Sequence, residues 1–188
     1  MAEPRAKRWT VADVEALPYD EWRRYEIIDG ELFVSTAPHF EHQSSCTRSA
    51  TALSVWNDRT RLGRVFVGPG LVFSQYDAVQ PDVVWISRER IARFADASGH
   101  FSGPPELVIE VLSPGTQNTR RDRQVKLALY ARRGVDEYWI VDWRHQTADI
   151  YRGPGLPRLD VLNAADTLTT PLLPGFALLL ATVFAHLP

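Results

Sequence analysis

The stretch that decides the fold runs from Pro104 to Pro114: Pro104-Pro105-Glu106-Leu107-Val108-Ile109-Glu110-Val111-Leu112-Ser113-Pro114. Leu107 to Leu112 is nearly continuous in apolar, β-branched residues, the pattern of a strand buried on both faces. Prolines close it at each end. From about Thr119 to Arg133 the pattern turns helical. Val125, Ala128 and Leu129 form an apolar stripe, and Gly134 stands where a helix commonly ends in a left-handed residue. Val135-Asp136-Glu137-Tyr138-Trp139-Ile140-Val141-Asp142 is a second buried strand. Strand, helix, strand in this order predicts a βαβ unit with parallel strands and a right-handed crossover.

Working upstream, Gln80-Pro81-Asp82-Val83-Val84-Trp85-Ile86-Ser87 reads as a strand with Asp82, Val84 and Ile86 on one face and Val83 and Trp85 on the other. Gly63 to Gln75 reads as two strands split by Gly68-Pro69-Gly70. Residues from about His39 to Arg61 read as a helix. Before it, Asp29-Gly30 between two apolar-rich runs signals a hairpin, because a type I′ turn needs positive φ at both central residues. That turn pairs Ile28 with Glu31 and Glu26 with Phe33, so two carboxylates share one face. Downstream, 147–153 and 158–163 read as a strand pair, and the apolar stretch from Phe176 to Leu187 as a core-packing strand or helix. The expected fold is α/β: a mixed central β-sheet flanked by helices, an N-terminal hairpin and extra C-terminal strands.

With 188 residues, 45% of them hydrophobic, the chain suits one domain spanning 1–188 with a core that needs no staples. Cys46 is the single cysteine, which excludes an internal disulfide framework. No stretch approaches the roughly 18 apolar residues of a membrane span, and no secretory signal follows the basic N-terminus. A cytoplasmic protein without membrane contact is expected. The formal charge of −2 argues against strong non-specific DNA binding, which rests on many Lys and Arg contacts to phosphate. Arginines nevertheless cluster, notably Arg120, Arg121 and Arg123.

Common catalytic signatures are missing: no phosphate loop, no G-x-G-x-x-G, no nucleophile elbow, no zinc-ligand spacing. Cys46 within a helix reads as a small buried hydrophobe. The anomaly is Glu110, a carboxylate inside a buried strand, where it is costly unless paired, hydrogen-bonded or bound to metal. Asp82 opens the neighbouring strand directly after Pro81. Lys126 sits on the following helix among Val125, Leu127 and Ala128. Asp122 lies one helical turn before Lys126, in reach of its ammonium. Taken singly, Asp82 could cap a loop, Glu110 could belong to a structural ion pair and Lys126 could snorkel to the surface. Taken together, two strand carboxylates and a lysine can hold a hard divalent cation and activate a water.

The chain resembles the PD-(D/E)xK nuclease superfamily, and more closely its Uma-type family of restriction-endonuclease-like proteins. The resemblance runs through Tyr25 to Pro38, then His42, Pro81-Asp82-Val83-Val84-Trp85-Ile86, the Pro104–Pro114 stretch and 122–142. It implies a metal-dependent endonuclease in which Asp82 and Glu110 hold Mg²⁺, or Mn²⁺ in its place, with the carbonyl of Val111 as a third ligand. Family members carry a lysine two residues after the glutamate. This chain has Leu112 there, so the resemblance implies that Lys126 supplies the ammonium from the helix. Glu31 and His42 match further family positions and are expected at the rim, with Glu26 a further candidate. Arg120, Arg121 and Arg123, at the mouth of the Lys126 helix, are expected on the DNA backbone. Cutting both strands of a duplex with one small domain implies a homodimer. The rivals are a non-catalytic nucleic-acid-binding module on the same fold and a metal-free hydrolase using Asp82 and Glu110 as an acid–base pair.

Overall fold

The computed structural model describes residues 7–18 and 20–184. The end of the C-terminal apolar stretch therefore lies outside the described residues. A short helix α1 (Val11–Glu15) is capped by Thr10, whose hydroxyl accepts from the Asp13 N–H while the Asp13 carboxylate accepts from the Thr10 N–H. The hairpin follows as β1 (Arg23–Ile28) and β2 (Glu31–Thr36). Asp29 and Gly30 both have positive φ, and the register is the expected one, with Glu26 opposite Phe33 and Ile28 opposite Glu31.

The long helix α2 (Phe40–Thr60) starts on His39 and ends with Arg61 in the left-handed region. Then come β3 (Gly63–Val67), β4 (Leu71–Ser74), β5 (Asp77–Val79), β6 (Val83–Ser87) and the short α3 (Arg88–Phe94). Next are β7 (Leu107–Val111), α4 (Thr116–Arg120), a π-helical stretch Arg121–Lys126 and α5 (Leu127–Arg133). The chain continues through β8 (Glu137–Asp142), β9 (Thr147–Arg152), β10 (Arg158–Asn163), β11 (Thr167–Thr169) and β12 (Ala177–Leu179).

A six-stranded mixed sheet in the order β10-β9-β8-β7-β6-β3 forms the centre, with β7 and β8 parallel as the βαβ reading requires. The alternation along β6 and β7 divides the core. Val83, Trp85, Leu107, Ile109 and Val111 face one way, against α2 and the C-terminal segment. Val84, Ile86, Val108 and Leu112 face the other way, with Leu129, Tyr130 and Tyr138.

The structure departs from the sequence-based expectation in three places. The hairpin does not stand alone: it joins β5 and β4 in a separate four-stranded sheet, β2-β1-β5-β4. The strands either side of Gly68-Pro69-Gly70 accordingly lie in different sheets, since Gly68 takes positive φ and turns the chain away. The crossover helix begins at Thr116, and its middle is π-helical rather than α-helical. A wider π turn brings residues five apart onto one side, which puts Arg121 and Lys126 together on the cleft. Among the described residues no helix is long and apolar enough to cross a membrane.

Candidate active site

Antiparallel pairing of β6 with β7 sets Val83 opposite Ile109. One step further along the same register, Asp82 faces Glu110, so both carboxylates project from one face at one end of the strand pair. They line a cleft of about 310 Å³ together with Glu26, His42, Arg121 and Lys126. Glu110 and Lys126 are 2% and 1% exposed.

Asp82 is fixed from several sides. Its Oδ2 accepts the Val111 N–H at 2.8 Å and lies 3.2 Å from His42 Nε2, while Oδ1 lies 3.4 Å from the Arg24 guanidinium. Burial alone would raise its pKa, but the His42 contact, the Lys126 ammonium and the Val111 N–H outweigh that and hold it below the usual carboxylate range. Glu110 receives two donors on one oxygen: Lys126 Nζ at 2.9 Å and the Tyr130 hydroxyl at 2.8 Å, both on Oε1. Here desolvation wins. The Glu110 carboxyl is pushed up to about 8 despite Lys126, with Asp82, Asp122 and Glu26 adding to the rise.

Lys126 Nζ bridges Glu110 and Glu26, at 2.9 Å from an oxygen of each, and lies 4.0 Å from Asp122 Oδ1. Burial would discharge an isolated lysine. The three carboxylates reverse this and raise its pKa, so the ammonium persists. Asp122 is closer to the Arg121 guanidinium, at 3.0 Å, and burial still raises its pKa. Burial also lifts the Tyr130 phenol well above its ordinary value, which keeps it a hydrogen-bond donor.

The sequence-derived residues divide clearly. Asp82, Glu110, Lys126, His42, Asp122 and the Val111 backbone converge. Glu31 does not: it is exposed at the hairpin turn, beside Arg8 and Trp9, in a different depression. Its place is taken by Glu26, which is 2% exposed and accepts the Gln80 N–H at 2.9 Å. Of the arginines expected on a nucleic-acid backbone, Arg120 is exposed. Arg121 is buried against Asp122 and Glu26, and Arg123 pairs with Asp149 at 2.6 Å. Both guanidiniums serve internal carboxylates, because the fold has buried acids to neutralise. Tyr130 and Arg24 escaped the sequence reading. An aromatic on a helix looks like core, and an arginine on a hairpin looks solvated.

His42, Cys46 and Asp82 also form a buried group whose ligand atoms lie within 4.8 Å of one another. Its thiol is a poor ligand as it stands: burial, with Asp82 and Glu110 nearby, pushes the Cys46 pKa far up.

Asp82, at the entry to β6, and Glu110, on the adjacent β7, thus meet Lys126 from the crossover helix in one cleft. The model of the Uma2 family, described as "Putative restriction endonuclease", matches residues 11–182, and the chain belongs to that family. Among solved structures it is similar to one described as a "putative nuclease belonging to DUF820" from Anabaena variabilis. The TM-score is 0.75 at 19% identity, covering 93% of this chain and 97% of that one, a likeness of fold. The comparison with curated proteins returns no match.

Proposed function

We propose that this protein is a metal-dependent nuclease that hydrolyses phosphodiester bonds of nucleic acid, with DNA as its substrate. The observation that carries the reading is the meeting of Asp82, Glu110 and the Lys126 ammonium in one buried cleft. The donor set fits a hard divalent cation. Four buried carboxylates, Glu26, Asp82, Glu110 and Asp122, stand against Lys126, Arg121 and Arg24. Both donors on Glu110 occupy Oε1, and neither takes Oε2. Carboxylate and carbonyl oxygens suit Mg²⁺, with Mn²⁺ as substitute. Asp82, Glu110 and the Val111 carbonyl would hold it, and it would supply polarisation of the phosphate and a lowered pKa for an attacking water.

The chain's own residues divide the remaining work. His42 and the Val111 N–H orient Asp82. Tyr130 orients Glu110. Glu26 and Asp122 keep Lys126 charged, so that it can position the water and offset negative charge on the phosphorane. Leu112, at the family's lysine position, is 6% exposed in the apolar core, which leaves the helix as the source of the ammonium. Of Arg120, Arg121 and Arg123, Arg120 is the one that pairs with no carboxylate among the described residues, and it would meet a phosphate. A two-fold dimer would present two such clefts to the two strands of a duplex.

The test measures nuclease rate and Mn²⁺ affinity side by side. Asp82→Asn and Glu110→Gln should each weaken Mn²⁺ binding and abolish cleavage. Lys126→Met keeps the buried stem but removes the charge. Its Mn²⁺ affinity should hold or rise while the rate falls about 10²-fold or more. Equal cutting by wild type and Lys126→Met would remove Lys126 from the mechanism. Oligonucleotide binding without cleavage in either metal would replace the nuclease with a non-catalytic binding module, and cleavage in chelator would favour the metal-free hydrolase.

A further inference from the structure

Beside the oxygen ligands of the cleft stands a second donor set that hydrolysis does not use. His42 and Cys46 are four residues apart on α2, which places both side chains on one face of the helix. His42 Nδ1 lies 3.5 Å from Cys46 Sγ, and on the other side of the ring Nε2 lies 3.2 Å from Asp82 Oδ2. All three residues are buried, and one ligand atom from each lies within 4.8 Å of the others. Cys46 packs in the same apolar cluster as Leu53 and Val83. A cysteine in such a place reads as a small hydrophobe. A hydrophobe needs no ring nitrogen at its tip, and here the sulfur meets one.

Donor chemistry decides what such a set takes. Asp82, Glu110 and the Val111 carbonyl offer oxygen alone, which suits a hard cation. His42 and Cys46 offer nitrogen and sulfur, the donors that Zn²⁺ and the later first-row metals prefer. In a tetrahedral zinc site, bonds of ~2.0 Å to nitrogen and ~2.3 Å to sulfur put those two atoms roughly 3.5 Å apart. His42 Nδ1 and Cys46 Sγ already stand at that separation. The Asp82 carboxylate completes the set by rotating toward them. His42 and Asp82 line the cleft, so a water from it can fill the fourth position. The thiol binds no metal while it keeps its proton. A cation entering between Cys46 and Asp82 takes the place of that proton, which leaves to bulk water.

We propose that His42, Cys46 and Asp82 form a site for a thiophilic divalent cation, Zn²⁺ foremost, at the inner end of the cleft. Because Asp82 belongs to both donor sets, filling this site takes a ligand from the hard-cation site beside it. The site depends on the chain's own donor atoms and not on cleavage, so its test uses no nucleic acid. The full chain, stripped with chelator and dialysed free of it, would be titrated with Co²⁺, whose spectrum reports ligands that Zn²⁺ leaves silent. Wild type should gain thiolate-to-cobalt charge-transfer absorption in the near ultraviolet, saturating at one cobalt per chain. Cys46→Ser should lose this band. His42→Ala should weaken the binding it reports at least about tenfold, since a lost ligand costs no less than a lost outer partner. X-ray absorption of the Zn²⁺ form should show one sulfur at ~2.3 Å. Near-ultraviolet circular dichroism of the metal-free variants separates a lost ligand from a lost fold, and Cys46→Ala stands in for a Cys46→Ser that fails to fold. No bound cobalt, cobalt bound without the band, or a zinc shell of nitrogen and oxygen alone would overturn the proposal. So would a band undiminished in His42→Ala, since the thiol would then bind metal apart from this set. If the band appears yet nothing is cut in Mg²⁺ or Mn²⁺, the nuclease reading falls and the metal site stands.

Discussion

Glu110 holds a proton more tightly in the fold than in the unfolded chain, because desolvation lifts its carboxyl to about 8 against the pull of Lys126. An unfolded glutamate titrates near ~4.3. Between those values the folded state binds more protons, so the metal-free protein should lose stability as pH rises from about 4.5 to 8. Glu110→Gln keeps an acceptor for Lys126 and Tyr130 without a charge to bury. It should flatten that dependence and exceed wild type at pH 8 by up to a few kcal/mol. Urea titrations of both proteins in chelator would read this, and an equal or steeper fall in Glu110→Gln would mean the carboxylate is needed as an ion-pair partner. The same residue was the most legible in the sequence, since a charge inside an apolar run has few bland explanations. Glu26 and Glu31 were harder to separate. Alternation puts both on one face of the hairpin, yet Glu26 alone meets the segment after β5 and the crossover helix, and both of those contacts come from distant segments.

Between elements, the small sheet is tied to the crossover helix through Asp77 at the start of β5. Asp77 is 4% exposed and accepts from the Asp29 N–H, from Arg132 at 2.8 Å and from Arg133. Burial would raise its pKa, but the Asp29 N–H and the two guanidiniums prevail and hold it below the ordinary value. A depressed carboxylate contributes stability above the unfolded pKa, near ~3.9, and that contribution is lost as pH falls toward the folded value. Asp77→Asn should therefore cost about 2 kcal/mol at pH 7, the scale of lost hydrogen bonds to a charged acceptor, and less below pH 4. Thermal melts at the two pH values would check it, and an equal cost at both would place the effect in packing. The hairpin turn, α2 and the βαβ unit were readable because each carries its own local signal. The four-stranded sheet was not, since β4 and β5 are short and β5 reaches β1 from beyond α2 and β3 in the chain. The π-helical turn was also hidden: its reason is to face Arg121 and Lys126 to one cleft, which a single helix's sequence does not state.

For the molecule as a whole, the site is built from three bodies besides α2, which brings His42 to Asp82. The central sheet provides Asp82 and Glu110, the hairpin sheet provides Glu26 and Arg24, and the crossover helix provides Arg121 and Lys126. A cation bound among the carboxylates would relieve repulsion that folding creates, since these acids lie far apart in the unfolded chain. Binding to the folded state alone stabilises it by about 2.7 kcal/mol at a hundredfold excess over Kd. For a chain of this size, that corresponds to a rise in Tm of ~5–10 °C. Mn²⁺ should produce a rise of this order in wild type, growing with the logarithm of concentration. Asp82→Asn should lose most of it. Lys126→Met should keep or enlarge it, because the competing ammonium is gone while Asp82 and Glu110 remain. Differential scanning calorimetry across a Mn²⁺ series, with Ca²⁺ as a second hard cation, reads the prediction without any nucleic acid. A Tm that ignores Mn²⁺ in wild type, or that rises equally in Asp82→Asn, would mean these carboxylates balance Lys126 and Arg121 alone and hold no metal.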